Sequence, residues 1–306
     1  MKTRTWLFCL GALLAAALAA SGAIALGANH AQPGAGKPAV TIGSKNFPEE
    51  VILGQLYAQA LKAKGFKVNL KSNIGSSEIV DKALTSGQLD MYPEYTGTIL
   101  SELAHQTKTP HNAIDAYNKA KKFEESRGFT LLNKTPFFDS DAIGVLKSYA
   151  RKNNLKSIPD LKKLGKKFKL TALPEFKTRF TGMVGLKQVY GVVPTFIPLG
   201  TTELVYTAID SGKVNGGDVF TTDAQLASGK YTVLKDPKFI FGFQNVAPVV
   251  SKKVLKAEGA GFARTLNAVS AKLTLPAIQA MNKAVVLDKQ NPAKVAATFL
   301  KANNLG

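Results

Sequence analysis

The segment from residue 40 to residue 65 constrains the fold most, because it reads as a strand, a short loop and an amphipathic helix. Val40 and Ile42 lie two residues apart, which is the spacing of a strand with one buried face. Pro48 is typical of the first turn of a helix, and Gly65 is typical of the residue that ends one. Units of this kind build α/β proteins, so the sequence predicts an α/β fold.

The loop between this strand and this helix contains Ser44, Lys45 and Asn46. In an open α/β sheet, ligands bind at the carboxyl ends of the strands, where backbone N–H groups and a helix N-terminus can contact them. A lysine at that place can act as a directed cation for a carboxylate or a phosphate. The alternative is an ordinary solvated loop lysine, and the local sequence leaves both open.

Strand and helix patterns alternate twice along the chain, before about residue 140 and again up to about residue 240. The first three strands follow a β-α-β-α-β order, which predicts a parallel sheet with helices on its faces. Long helices then finish the chain from Ala260 to about Ala302. We expect them to be broken near Pro276 and Pro292, because proline is not tolerated inside a helix.

The two alternating regions predict two lobes with a ligand cleft between them. We expect the first lobe to contain residues 39–140 and 245–306, and the second lobe to contain residues 141–244. The chain would then cross between the lobes near residues 139–141 and 244–246. These crossovers are predicted to form a hinge that closes when a ligand binds.

The N-terminus has the pattern of an export signal. Lys2 and Arg4 precede an apolar run from Trp6 to Ala20, and small residues follow it. Residues 1–28 are therefore predicted to be a signal peptide or, since the apolar run is long, an uncleaved N-terminal anchor. Residues 29–38 are predicted to be a flexible tether. Both alternatives predict an exported protein, in the periplasm or on the outer face of the cytoplasmic membrane.

The inventory of reactive side chains argues against an enzyme. Cys9 is the only cysteine, and it lies in the N-terminal apolar run. The histidines are His30, His105 and His111, and the last two are not spaced to share one face of a helix. No thiolate nucleophile, zinc pair or histidine-based acyl-transfer triad is expected, and neither a metal nor a cofactor is predicted.

The charge of the chain is strongly positive, because 40 lysines and arginines outnumber 21 aspartates and glutamates, which gives a net charge of +19. Such an excess can indicate a nucleic acid or an anionic membrane as a neighbour. The sequence has no arginine-rich run and no basic stripe interleaved with aromatic residues, so nucleic-acid binding is not predicted. The lysines between Lys147 and Lys169 are interpreted as a solvated face.

Two later loops carry side chains suited to a polar ligand. Tyr95 and Thr98 follow the third predicted strand, so we expect both to lie near Lys45. An alternative role for Tyr95 is packing in the core. Arg179 lies in another predicted loop and offers a planar fork of N–H donors that suits a carboxylate.

Several dispersed motifs carry a resemblance to a known family. They are Ile42–Phe47, Tyr57–Leu61, Tyr92–Thr98, Glu175–Gly182 and Ala247–Val250. Together they resemble the osmoprotectant-binding subunits of ABC importers for glycine betaine, choline or carnitine. The resemblance implies a two-lobed type II periplasmic-binding-protein fold with a ligand cleft between the lobes. It also implies docking on an ABC permease in the cytoplasmic membrane, with the ATPase subunit inside.

The resemblance also implies a site for a ligand carboxylate. In that family a lysine, an arginine and a threonine meet the carboxylate of the solute. Lys45, Arg179 and Thr98 match these positions. The resemblance therefore implies that Lys45 and Arg179, from opposite lobes, close on one anionic group.

The cage for the quaternary ammonium group departs from the family pattern. Aromatic faces attract a cation that cannot donate hydrogen bonds, and the family uses tyrosines for this purpose. Tyr95 matches one of them, but the other three positions carry Asp141, Phe220 and Gln244, and Asp139 lies in the same motif as Asp141. A carboxylate and an amide leave polar atoms unmatched against a trimethylammonium group. We therefore expect glycine betaine to bind weakly and a solute with N–H or O–H donors to bind better.

The predicted function is solute capture for an ABC importer, with a betaine-like quaternary amine or related zwitterion as the ligand and without catalysis. The protein is expected to be a monomer that delivers its solute to the permease. Two alternatives stay open from the sequence. One is a binding protein for an amino acid or another polar zwitterion, and the other is a sensory ligand-binding module that presents its closed form to a membrane receptor.

Overall fold

The computed structural model describes residues 32–110 and 112–306. The predicted signal peptide or anchor, residues 1–28, lies outside the described residues, and so does His111. Within the described ranges, no helix has both the length and the apolar character needed to cross a membrane.

The strands of the described residues form two five-stranded sheets. In chain order they are β1 (Ala39–Gly43), β2 (Lys67–Lys71), β3 (Met91–Tyr95), β4 (Phe129–Leu131), β5 (Asp141–Leu146), β6 (Lys169–Ala172), β7 (Thr195–Pro198), β8 (Gly216–Phe220), β9 (Tyr231–Val233) and β10 (Val246–Ser251). The sheet of the first lobe has the order β2-β1-β3-β10-β4. The sheet of the second lobe has the order β7-β6-β8-β5-β9, so the two lobes repeat one arrangement.

Both sheets are mixed, whereas the strand and helix pattern predicted a parallel one. β1 is parallel to β2 and β3, which confirms the prediction for these three strands. However, β10 is antiparallel to β3 and β4, and β5 is antiparallel to β8 and β9. The reason is connectivity, because β5 and β10 each begin where the chain has just crossed from the other lobe. No helical crossover, which sequential parallel strands require, precedes either of them.

Helices flank both sheets. They are α1 (Pro48–Ala63), α2 (Ser77–Thr85), α3 (Thr96–Thr98), α4 (Ala113–Ser126), α5 (Lys147–Lys152), α6 (Gly185–Tyr190), α7 (Glu203–Asp210), α8 (Lys252–Glu258), α9 (Ala260–Lys272), α10 (Leu275–Val286) and α11 (Pro292–Ala302). α1 packs against α9, α10 and α11, and it buries Leu53, Leu56 and Tyr57 completely. Pro276 and Pro292 lie in the first turns of α10 and α11, which confirms the predicted breaks.

β3 continues through Tyr95, whereas the sequence pattern ended this strand at Tyr92 and placed Pro93 in a loop. Proline cannot donate to a strand ladder, which normally excludes it from a central strand. Here Pro93 lies opposite Pro248 of β10, and β1 has already ended on its other side. The missing N–H group therefore costs no ladder bond, and the extended strand carries Glu94 into the protein interior.

The chain crosses between the lobes twice, between β4 and β5 and between β9 and β10. The two crossing segments run side by side, since Phe138 forms an isolated bridge with Asn245. The N–H group of Asp139 also donates to the carbonyl of Gln244 at 3.0 Å. The strands of each sheet fall within the lobe ranges expected from the sequence, and the boundaries themselves stay a prediction.

The described part of the predicted tether, residues 32–38, is packed rather than flexible. The N–H group of Gly34 donates to the carbonyl of Lys64 at 2.9 Å, and Lys37 Nζ donates to the carbonyl of Ala257 at 2.8 Å. A Cβ atom at Gly34 would lie only 2.2 Å from the backbone nitrogen of Phe66, so the absence of a side chain permits this close approach. These contacts fix the segment to the first lobe.

Candidate functional site

A cleft that is partly open to solvent lies between the two lobes. The side chains converge here because each lies at a sheet edge that faces the cleft, in a loop beside that edge, or in a crossing segment. All eight residues that the sequence analysis selected line it, namely Lys45, Tyr95, Thr98, Asp139, Asp141, Arg179, Phe220 and Gln244.

Lys45 is buried and already paired with carboxylates of the protein. Its Nζ forms an ion pair with Glu94 of β3 and lies 3.8 Å from Glu50 Oε1 of α1. It also lies 3.4 Å from Ser77 Oγ and 4.2 Å from the centroid of the Tyr95 ring. With 3% of its surface exposed, Lys45 is not a solvated loop lysine. In this conformation the charge of Lys45 balances carboxylates of the protein, so it is not available to a ligand carboxylate.

The cluster around Lys45 contains more carboxyl groups than cations. Burial raises the pKa of Glu50 to about 8, against the opposing charge of Lys45, and the charge of Glu94 adds to the rise. Glu50 Oε1 and Glu94 Oε2 have no hydrogen-bond partner among the described residues. A buried carboxylate without a partner is costly, so Glu50 keeps a proton at neutral pH. The positive charge of Lys45 is then balanced by Glu94.

Arg179 joins the two lobes through carboxylates of the first lobe. Its Nη2 donates to Glu78 Oε2 at 2.8 Å and its Nε donates to Glu78 Oε1 at 3.1 Å, while Glu102 Oε2 lies 3.7 Å from Nε. Burial opposes ionisation of Glu78, but the hydrogen bonds and charge of Arg179 outweigh it and lower the pKa of Glu78 to about 2. Thr181 Oγ1 adds a second link by donating to Glu102 Oε1 at 2.7 Å. Arg179 thus ties the lobes together across the cleft.

We expect the thermal stability of the protein to fall as the pH rises from about 5 to about 8. Burial raises the pKa of Glu50 to about 8 and the pKa values of Asp223 and Glu124 to about 7. Between the ordinary and the raised pKa, the folded chain holds protons that the unfolded chain has lost, so the free energy of unfolding decreases as pH increases. Glu78, with its lowered pKa, is ionised in both states over this range and does not change the slope.

Scanning calorimetry of the ligand-free protein at several pH values measures this dependence. Glu50→Gln should reduce the slope, because the amide cannot titrate. An unfolding midpoint that stays constant or rises up to about pH 8 would contradict the expectation.

Three aromatic rings form one wall of the cleft. Phe47, which directly precedes α1, stacks on Phe220 of β8 with ring centroids 5.7 Å apart and an interplanar angle of 5°. It also stacks on Tyr95, at 6.2 Å and 23°. The hydroxyl of Tyr95 donates to Glu49 Oε1 at 2.8 Å, which fixes the orientation of that ring. Sequence reasoning missed Phe47 as a site residue, although its position two residues after Lys45 could have identified it.

Gln244 bonds to neighbouring protein groups rather than pointing freely into the cleft. Its Oε1 accepts from the N–H group of Thr98 at 2.9 Å, and its Nε2 donates to the carbonyl of Phe241 at 3.0 Å. A Cβ atom at Gly97 would lie 2.7 Å from the amide, so the close packing depends on glycine at that position. The amide therefore has protein partners on both sides and positions Thr98 at the edge of the cleft.

Asp139, in the first crossing segment, bonds to the loop that follows β8. Its Oδ1 accepts from the N–H group of Thr222 at 3.1 Å and from Thr221 Oγ1 at 3.3 Å. Glu49 Oε2 accepts from Thr222 Oγ1 at 2.6 Å and from Asn282 Nδ2 at 2.8 Å. Burial, with the nearby charge of Glu49, raises the pKa of Asp139 well above its usual range. These bonds hold the loop after β8 against the first crossing segment, α1 and α10.

Asp218 is a further cleft residue that the sequence analysis did not select. It lies on β8 two residues before Phe220, so both side chains share one face of the sheet, and this spacing could have revealed it. Its side chain lies diagonally across from that of Asp141 on the neighbouring strand β5. Asp218 is 9% exposed, and its Oδ1 has no hydrogen-bond partner among the described residues.

The cleft is acidic although the whole chain is strongly basic. Both cations of its described lining, Lys45 and Arg179, are paired with carboxylates of the first lobe. The lining also contains the carboxyl groups of Asp139, Asp141, Glu175 and Asp218. Because the two cations are already paired, the charge that the lining has left to offer is negative, so this cleft favours a ligand with a positive charge.

Comparison with known proteins gives a consistent result. The sequence profile of the OpuAC family, described as the substrate binding domain of ABC-type glycine betaine transport system, matches residues 38–302. A glycine-betaine-binding protein of Pseudomonas aeruginosa is 32% identical over 299 residues, which cover 94% of this chain and 93% of that protein. The glycine betaine-binding protein YehZ of Escherichia coli is 31% identical over 279 residues, with 86% and 90% covered.

The fold has relatives among solved structures. The crystal structure of a glycine betaine/carnitine/choline ABC transporter protein superimposes with a TM-score of 0.69 at 25% identity, covering 87% of this chain and 99% of that one. The two-lobed α/β fold of periplasmic binding proteins, which the sequence motifs implied, is confirmed.

Proposed function

The chain belongs to the OpuAC family, the substrate-binding domains of ABC-type glycine betaine transport systems, and from this premise we propose that it captures a betaine-like quaternary amine or a related zwitterion. It is the extracytoplasmic solute-binding subunit of an ABC importer. In the proposed cycle, a monomer binds the solute without catalysis or a cofactor, closes its lobes in the periplasm or on the outer face of the cytoplasmic membrane, and docks on the permease.

The observation that carries this proposal is the aromatic wall. Tyr95 and Phe47 come from the first lobe and Phe220 comes from the second, and their rings stack in one series across the cleft. Ring faces attract a cation without requiring a hydrogen-bond donor from it. Since the stack spans both lobes, a cation bound against it would favour the closed form.

The opposite end of a zwitterion would meet Thr98 and Arg179. A guanidinium group has five N–H donors, and the two bonds to Glu78 do not use all of them. Lys45 would contribute through its charge at a distance, since Glu94 already holds its Nζ. The carboxylate contact is therefore proposed to depend mainly on Arg179.

We expect at least one quaternary amine or zwitterion to raise the unfolding midpoint, because a ligand that binds only the folded state stabilises it by mass action. A thermal-shift series with glycine betaine, choline, carnitine, amino acids and polyols measures this. Phe220→Leu should weaken the binding of a quaternary amine by about 0.5–2 kcal/mol, since the leucine keeps apolar volume but removes the ring face.

The control is Phe299→Leu, which changes a partly buried ring on α11 outside the cleft lining and should leave affinity unchanged. A midpoint that responds only to polyols would refute a betaine-type ligand. A midpoint that responds only to amino acids would favour the alternative of a binding protein for another polar zwitterion.

A further inference from the structure

Two aspartates on neighbouring strands of the second lobe form a pair that opens into the cleft. In the antiparallel register of β5 and β8, Asp141 lies opposite Phe220 and Ile143 lies opposite Asp218, so the two aspartates are diagonal neighbours. Diagonal side chains on one face of a sheet are within reach of each other. The two side chains lie on the same face of the sheet, and both line the cleft.

Asp218 is not satisfied in the way that Glu49, a structural carboxylate of the first lobe, is. Glu49, for comparison, accepts three hydrogen bonds, from Tyr95, Thr222 and Asn282. Asp218 is more than nine-tenths buried, yet its Oδ1 has no partner among residues 32–110 and 112–306. A buried polar atom without a partner is costly and calls for an explanation. A ligand that donates a hydrogen bond to this oxygen provides one.

The charges around the pair favour one shared proton. Arg179 attracts both carboxylates, but it is also bound to Glu78 of the first lobe. Glu102 faces Asp141 and Asp223 faces Asp218, and both oppose a second negative charge. Burial raises the pKa of Asp218 well above its usual range and the pKa of Asp141 to about 6. Two close carboxyl groups in such a setting retain one proton between them.

We propose that the Asp141–Asp218 pair is the cation-binding element of the cleft and that it takes the N–H group of a protonated amine through the free oxygen of Asp218. The ligand is then an organic cation, or a zwitterion, with at least one N–H donor rather than a fully methylated ammonium. This assignment rests on the proposed function, because it names the ligand class of the same cleft.

Binding displaces the shared proton of the pair. The O–H bond of Asp218 breaks, its proton passes to the buffer, and the N–H group of the ligand donates to the carboxylate that remains. One ammonium charge replaces one proton, so atoms and charge balance without an oxidant or a reductant. A quaternary ammonium has no N–H group and leaves the lone pairs of both aspartates unmatched.

Two matched pairs of probes test the proposal by calorimetry. Choline and glycine betaine each carry three methyl groups on nitrogen, and N,N-dimethylethanolamine and N,N-dimethylglycine replace one methyl group by hydrogen. We expect the N–H member of each pair to bind about tenfold more tightly or better. Titrations in phosphate and in Tris, which differ in ionisation enthalpy, should show proton release only for the N–H members.

Asp218→Asn should abolish both the proton release and the preference for the N–H probes, because the amide has no proton to lose and presents no charge. Asparagine has nearly the size of aspartate and can donate to Asp141, so the fold is retained. Asp288→Asn is the control, since it makes the same change in an exposed ion pair with Lys283 outside the cleft lining.

Each outcome of these titrations decides the proposal. Quaternary probes that bind as tightly as their N–H partners, without proton release, would overturn the inference and leave the proposed function standing. An unchanged preference in Asp218→Asn would do the same. Failure of all four probes to bind would remove the proposed function together with the inference.

Discussion

Replacing Lys45 by methionine is expected to lower the free energy of unfolding by about 3–5 kcal/mol, because it leaves a buried carboxylate without its cation. Glu94 is 0% exposed and pairs with Lys45. Methionine keeps much of the length of the lysine side chain, so the contacts with the ring of Tyr95 are largely retained while the charge is lost. Denaturant unfolding at neutral pH measures the loss.

A matched variant at an exposed ion pair separates this effect from loss of packing. Lys283→Met breaks the exposed ion pair with Asp288 and should cost less than about 1 kcal/mol. Equal losses in the two variants would show that Lys45 contributes only packing.

Replacing Arg179 by glutamine is expected to weaken solute binding by about 2–5 kcal/mol and to shift the protein toward an open cleft. The guanidinium group links the second lobe to Glu78 and lies close to Glu102, which is 8% exposed. Glutamine cannot make the forked contact and leaves both carboxylates without their cation. Titration with glycine betaine and N,N-dimethylglycine measures the affinity, and small-angle scattering measures the radius of gyration.

Glu78→Gln is the matched variant, because it breaks the same link from the first lobe and leaves the cleft lining unchanged. If Arg179 acts only by tying the lobes, the two variants should lose the same affinity and expand by the same amount. If it also contacts the solute, Arg179→Gln should lose more. Unchanged affinity in Arg179→Gln would remove this residue from the site.

The location of the cleft could be read from the sequence because it depends on short-range patterns. Lys45 lies two residues after β1, and Tyr95 is the last residue of β3 in the same sheet. Since strand ends at one edge of a sheet lie together, recognising the strands was enough to bring these side chains to one place. The same patterns predicted the helix breaks at Pro276 and Pro292.

The direction of some strands and the residues of the aromatic wall were not predictable in this way. Strands β5 and β10 run antiparallel because of where the chain crosses between the lobes, and no local pattern records that path. From the local sequence, Phe47 is only a residue that precedes a helix. Its role in the cleft becomes visible in the structure, where Phe220 of the other lobe stacks on it. Contacts between lobes depend on the packing of whole sheets, which spacing along the chain does not encode.

The sequence by itself determined the α/β fold and the cleft between two lobes, together with eight of the residues that line it, whereas only the tertiary structure decided the charge that the cleft presents. Lys45 and Glu94 are 49 residues apart, and Arg179 and Glu78 are 101 residues apart. Opposite charges so distant in sequence meet only in the folded chain, within one lobe for Lys45 and Glu94 and between the lobes for Arg179 and Glu78. Both cations are therefore neutralised in the structure, while Asp218 Oδ1 is left without a partner among the described residues.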